Sequence, residues 1–309
     1  MDKNFEAAVL QTLSYFDLFN YPLTAEELFA YLWKFKIGYN DFLRDLENFS
    51  PNKIARKYGY YFLAGREETV ENRRQRLLMS EMKLKIALKA ARKIRSVPFL
   101  KAIFVCNSVA FGQANTGSDI DFFIVTAPRR TWIVRFFTNL ILRFYGLRTY
   151  GNKIQDKICL SFFLDQNHLD LSSFKIGPDD IYLAYWLKNL VALYDADNTY
   201  KKLLAENIWA KNLLPNSESQ GGYYFGLEDS VLGRKWKNIW EKMWQGAYGD
   251  LIEKQAELLQ ISKLKPSIKE AMNKESKNVI LGDGVLKFHE NDRRESFKQA
   301  WLEKIYVAK

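Results

Sequence analysis

Phe104-Val105-Cys106-Asn107-Ser108-Val109-Ala110-Phe111-Gly112-Gln113-Ala114-Asn115-Thr116-Gly117-Ser118-Asp119-Ile120-Asp121-Phe122-Phe123-Ile124-Val125 is the stretch on which the fold turns. It reads as an apolar run, a loop of small residues, then Ser-Asp-x-Asp leading into a second apolar run. Ala102–Cys106 and Asp119–Val125 therefore predict two buried strands. On the second, Asp119 and Asp121 are two apart and share a face, while Ile120 and Phe122 take the other. Side-by-side carboxylates repel and resist burial unless a cation or protons neutralise them. Mg²⁺, held by one or two carboxylates and by substrate phosphates, is a cation of that kind. The small residues upstream let backbone N–H groups come close to phosphate oxygens.

Ser108-x-Ala110-x-Gly112 followed by Ser118-Asp119-x-Asp121 resembles the Gly-Ser-x-Ala-x-Gly…Ser-Asp-x-Asp signature of nucleotidyltransferases of the DNA polymerase β superfamily. The match covers roughly 22 of 309 residues, and about 80 with the flanking strands. The resemblance implies a small mixed sheet and Mg²⁺-dependent transfer of a nucleoside monophosphate from a nucleoside triphosphate to an acceptor hydroxyl. It implies metal ligation by Asp119 and Asp121, and nucleotide binding by Asn107, Ser108, Gly112 and Ser118. Bound metals would polarise the α-phosphate and neutralise the departing pyrophosphate.

Two positions depart from the pattern. The Gly that precedes the Ser in the family is Asn107. Asn tolerates left-handed backbone better than most residues, so it can keep the turn, but its side chain can also crowd the phosphates. The second departure is the third carboxylate, which the family carries on a neighbouring strand. In Ile158-Cys159-Leu160-Ser161-Phe162-Phe163-Leu164-Asp165, regular alternation puts Cys159, Ser161, Phe163 and Asp165 on one face. Ser161 takes the mid-strand place, and Asp165 lies four residues further, ~13 Å at ~3.3 Å per residue. Either a shifted register makes Asp165 the third catalytic acid beside Asp119 and Asp121, or the site has two acids with Ser161 in the corner. The mid-strand position favours Ser161.

Working outward, the chain predicts an α+β protein in parts. Residues 1–65 read as a winged-helix-like unit. Ala7, Ala8, Leu10, Leu13 and Phe16 give a helical period, Thr24 and Glu27 a capping box, Asn40–Phe49 a third helix, and Lys53–Leu63 two strands around a turn. Residues 66–97 form a connecting basic helix and 98–178 the nucleotidyltransferase domain, closed by Pro178. Residues 179–309 read as a helical C-terminal domain that could close over a substrate. In it Asp179–Asn212 is helical, 214–226 a loop, and Trp236, Trp240 and Trp244 a core stripe. Val279–Leu281 and Val285–Phe288 form a hairpin around Gly282-Asp283-Gly284. Lys287–Arg294 reads as a solvated helix start capped by Asp292, with a phosphate contact as its second reading.

The net charge of +10 and pI near 9.3 suit a polyanionic partner. Between Lys53 and Arg95 stand thirteen Lys or Arg against four Glu. This stretch is a solvated helix face on one reading and a nucleic-acid contact on the other. The third helix carries Asp41, Asp45 and Glu47 against Arg44 alone, which opposes its use on phosphates. Cys106 and Cys159 sit in apolar runs, as buried thiols do. His168 and His289, the only histidines, are far apart and support neither a His metal site nor a triad. Trp132–Leu147 is apolar but too short to span a bilayer, with Arg135, Asn139 and Arg143 along one side. No secretory segment is visible, so the chain reads as cytoplasmic and not membrane-bound. The rival to an enzyme is a catalytically inactive nucleotidyltransferase fold that binds or regulates through its winged helix.

Overall fold

The computed structural model describes residues 2–217, 224–264, 266–272, 279–288 and 292–308. The described chain begins with α1 (Lys3–Asp17), β1 (Leu23–Thr24), α2 (Ala25–Ala30), α3 (Tyr39–Leu46), β2 (Ile54–Lys57) and β3 (Tyr60–Leu63). The expected capping box is present at the start of α2: Glu27 N–H donates to Thr24 Oγ1 and Thr24 N–H to the Glu27 carboxylate. The three strands pair in the order β1-β3-β2. A long helix, α4 (Glu68–Ile94), follows. Its basic character is partly internal. Arg73 is buried, forked onto Glu27 and stacked on Tyr21 and Tyr60, and Lys83 is buried against Asp156.

Next come β4 (Leu100–Val105), α5 (Asn107–Ala110), β5 (Ile120–Thr126), α6 (Thr131–Phe144), β6 (Ile158–Asp165), α7 (Ile181–Lys188) and β7 (Val191–Asp195). They continue with α8 (Thr199–Glu206), α9 (Ile208–Leu213), β8 (Tyr224–Leu227), α10 (Val231–Met243), α11 (Gly246–Ser262) and α12 (Pro266–Met272). β9 (Val279–Gly282), β10 (Val285–Phe288) and α13 (Arg294–Ala308) end the described chain. One mixed sheet runs β8-β7-β4-β5-β6-β10-β9, with β5–β6 and β7–β8 parallel and its other pairs antiparallel. The protein is thus α+β.

Two expectations about the second half are corrected. Asp179–Asn212 is not all helix, because β7 pairs with β4 in the middle of the sheet. Residues 179–309 are therefore not a helical addition to a sheet finished by Pro178, since β7 to β10 extend that sheet on both sides. The cause is a short apolar run, Val191-Ala192-Leu193-Tyr194, which a helical period accommodates as easily as a strand does. The hairpin at residues 282–284 is as expected. Gly284 has φ +76°, and a Cβ there would meet the Asp165 carboxylate at 2.5 Å, so the turn admits only glycine.

The sheet is buried on both faces. Against one pack Ala87, Ala91 and Ile94 of α4 and Ile133 and Leu142 of α6, facing Ile120, Phe122 and Ile124. Against the other pack Leu183, Trp186 and Leu187 of α7, facing Phe104, Phe123 and Phe162. The opposite side of α7, Ile181 and Tyr185, enters the core of the N-terminal unit, and Trp301 of α13 donates to Gln11 O of α1. The Trp stripe of α10 is a further correction. Trp236 is exposed, Trp240 and Trp244 are half-buried, and the buried residue of that helix is Lys237.

Candidate metal and nucleotide site

β4 delivers the chain to Cys106, and the backbone then turns sharply at Asn107, where φ is +55°. An Asn can hold that left-handed conformation, so the turn forms without a glycine. The side chain does not hang free. Asn107 Nδ2 donates to Asp121 Oδ2 at 2.9 Å, and Asn107 Oδ1 accepts from Trp186 Nε1 at 3.1 Å. Ser108 opens the loop and its carbonyl accepts from Gln113 N at 2.7 Å, closing the turn. Gly112 has φ +68° and lies against Tyr21 Oη and Leu77, so it joins the loop to the N-terminal unit. Ser118 Oγ is occupied within the loop, donating to Asn115 O at 2.9 Å. Its carbonyl accepts from the buried Lys83 ammonium.

Asp119 ends this loop and Asp121 is the second residue of β5. Ligand atoms of Asp119, Asp121 and Cys159 all lie within 4.8 Å of one another. Neither aspartate forms a salt bridge among the described residues. Burial raises both carboxyl pKa values, and for Asp121 the neighbouring Asp119 charge adds to it, taking Asp121 to about 6. Hydrogen bonds from the Cys159 thiol, and from Asn107 to Asp121, oppose the rise without cancelling it. Burial and the two carboxylates together push the Cys159 thiol far up, so it is a neutral donor. Arg148 and Lys83 favour the ionised form of Asp119. Arg148 is oriented by Asn139 Oδ1 at 2.7 Å, which gives the polar side of α6 a purpose.

The third corner belongs to Cys159, neither to Ser161 nor to Asp165. Asp121 pairs with Cys159 across the parallel β5–β6 ladder, and Phe122 pairs with Leu160. The next pair is Phe123 with Phe162, so Ser161 is an extra residue, a β-bulge. The bulge reverses the alternation from that point on. Phe162 and Leu164 share the face of Asp121, while Phe163 joins the opposite core. Asp165 is thereby turned to the opposite face, and it pairs with Thr126, five residues along β5 from Asp121, or ~16 Å at ~3.3 Å each. There it accepts from Arg129 N–H and Asn167 N–H at 3.0 Å and contacts His168 Nδ1 at 2.7 Å. It is a buried structural acid. The regular alternation assumed from sequence gave no sign of the bulge, and the signal that was present, Cys159 level with the strand entry, carries no charge.

A cavity of about 250 Å³ opens from the same turn, lined by Asn107, Phe162, Trp186 and Phe297 among others. Tyr182, on its wall, feels the charges of both Asp121 and Asp292. Lys287 and Arg294 line it too. Instead of marking a solvated helix start, both are buried and grip the half-buried Asp292, whose carboxyl the Arg294 hydrogen bonds and the two positive charges hold well below the usual carboxylate range. Residues 289–291, including His289, lie outside the described residues. No family model, curated protein or solved structure matches this chain.

Proposed function

We propose that Asp119 and Asp121 hold a divalent cation with a nucleoside triphosphate, and that the protein transfers a nucleoside monophosphate to an acceptor hydroxyl. The observation that carries this reading is the close, half-buried carboxylate pair with no salt-bridge partner among the described residues. A protein does not keep such a pair without a neutralising ligand at little cost. The donor set fits Mg²⁺, for which two carboxylates completed by phosphate oxygens suffice. Bound there, the cation would supply charge neutralisation at the transferring and leaving phosphates.

The residues of the chain do the rest. The turn at Asn107 and Ser108 places a loop of small residues beside the pair. Asn107 fixes Asp121 and links it to Trp186 at the cavity wall. Lys83 and Arg148 offset part of the negative charge without engaging it. The cavity is large enough for a planar ring and is walled by aromatic side chains. Residues 1–65, with helix, short strand, two helices and a two-stranded wing, fit the winged-helix reading. A nucleic-acid contact through Lys53–Arg95 would rest on the exposed Arg56, Lys57, Arg74, Lys85 and Lys89, not on the internal Arg73 and Lys83.

A second reading, a nucleotide-binding regulator without turnover, is favoured by one observation. Cys159 occupies the corner where the resemblance implies a carboxylate that helps activate the attacking hydroxyl. Equilibrium titration with each of the four common ribonucleoside triphosphates, with and without Mg²⁺, tests what both readings share. Binding of at least one triphosphate that requires Mg²⁺ is expected. Affinities unchanged by removing the cation would exclude the site. Pyrophosphate release then separates the enzyme from the regulator.

A further inference from the structure

The helix α10 is docked by its polar side. Lys237 Nζ donates to Leu100 O and Tyr194 Oη, each at 2.8 Å, and Glu241 accepts from Phe99 N–H at 2.6 Å. These contacts pin the helix to the start of β4 and to Tyr194 of β7, and turn its apolar side outward. Leu232, Trp236, Ile239 and Met243, spaced 4, 3 and 4 residues, form one stripe and are 79%, 54%, 57% and 55% exposed. The charged residues exposed on the same helix are Arg234, Lys235 and Lys242, all cationic. Beside the stripe runs a groove lined by Trp240 and Trp244 on one wall and by Phe137 and Ile141 of α6 on the other. The same side of α6 ends in Phe144, which is 83% exposed. Lys93 closes the groove from α4, its ammonium over the Tyr145 ring.

An outward apolar stripe about 16 Å long, at ~1.5 Å per residue, is costly in water and calls for a cover. Two copies of this chain meeting here would bring their cationic flanks together, which opposes self-association. The leucine, isoleucine and methionine stand on the crest of the helix, not inside the groove, so the shape suits a soft, flat apolar medium. Tryptophan beside lysine is the composition of helices that lie in the headgroup region, with the apolar side buried ~5–10 Å. The net charge of +10 has the matching sign for acidic headgroups.

We propose that α10, with the adjoining end of α6, docks on an anionic lipid surface, lying on the bilayer. Among the described residues no helix is long and apolar enough to cross one. The surface is independent of the nucleotide reading.

Co-sedimentation of the full chain with vesicles tests it, using phosphatidylcholine alone and phosphatidylcholine with one third phosphatidylglycerol. Binding to the anionic vesicles at least tenfold tighter than to the neutral ones is expected, weakening as salt is raised. Leu232→Glu with Ile239→Glu should abolish it while circular dichroism and melting stay near wild type. Lys235→Glu with Lys242→Glu should reduce it several-fold while leaving the apolar stripe intact. Absence of binding, or equal binding to both vesicles, overturns the proposal. So does a wild-type dimer in sedimentation equilibrium that Leu232→Glu with Ile239→Glu converts to monomer, since the face would then be a self-interface.

Discussion

The two ends of the β5–β6 pair carry acid, buried at one and half-buried at the other, and the protein treats them in opposite ways. At one end Asp165 is surrounded by donors: two backbone N–H groups and the His168 ring. At the other, Asp119 and Asp121 face each other with a neutral thiol as the third group, and burial raises both carboxyl pKa values. An acid whose hydrogen bonds are met locally holds structure together. An acid pair whose charge is left unmet is poised for a ligand that brings positive charge.

The largest effect expected from this contrast is at the structural end. Asp165→Asn should cost about 2–3 kcal/mol in urea unfolding, because it weakens charge-assisted bonds at a buried site. Its response to Mg²⁺ and nucleotide should be that of wild type. A variant of unchanged stability that no longer responds would exchange the roles of the two ends.

The next effect has the opposite sign. Asp121 rises from an ordinary value of 3.8 to about 6 in the folded chain. A folded pKa above the unfolded one means the native state binds the proton more tightly. That contribution is full below about pH 4 and is lost as pH climbs through 6. Asp119→Asn with Asp121→Asn removes this loss, so the ligand-free variant should be more stable than wild type at pH 8, by about 2 kcal/mol at order of magnitude. Melting curves from pH 4 to 8 check it: the gap should close toward pH 4. A gap independent of pH would contradict the burial of an unmet charge. Affinity for the cation should rise across the same window, since only the ionised carboxylates ligate it.

A smaller effect distinguishes the corners of the site. Cys159→Asp places a third carboxylate level with Asp121 and should tighten Mg²⁺–nucleotide binding about tenfold, ~1.4 kcal/mol, by calorimetry. Ser161→Asp, on the bulge, should not. The reverse order would mean that the bulge closes when the ligand binds.

The residues that make the acid end were legible, since their signal is local. An apolar strand, a turn and two acids at a spacing of two can all be read along the chain, and Asn107 was recognisable as a residue that tolerates left-handed backbone. What was not legible depends on counting across an irregularity. One bulged residue at Ser161 inverts every assignment after it, which is how Asp165 came to be placed on the face of Asp121. β7 was hidden for another reason. The five apolar residues after Asn189, Leu190 to Tyr194, fit either period, and only pairing with β4 decides between them. The Trp spacing in α10 was misleading, because Lys237 and Glu241 dock the helix by its polar side and turn Leu232, Trp236, Ile239 and Met243 outward.

The central claim is that the unmet charge of Asp119 and Asp121 is a ligand site, and one comparison of melting temperatures tests it directly. Wild type, Asp165→Asn and Asp119→Asn with Asp121→Asn are each heated alone, with Mg²⁺, and with Mg²⁺ plus nucleoside triphosphate. Ligands that bind only the native state raise the melting temperature by mass action. The first two proteins should gain stability with the Mg²⁺–nucleotide mixture, and the double variant should gain none. A double variant that gains as much as wild type would contradict the assignment of the pair as the metal and nucleotide site.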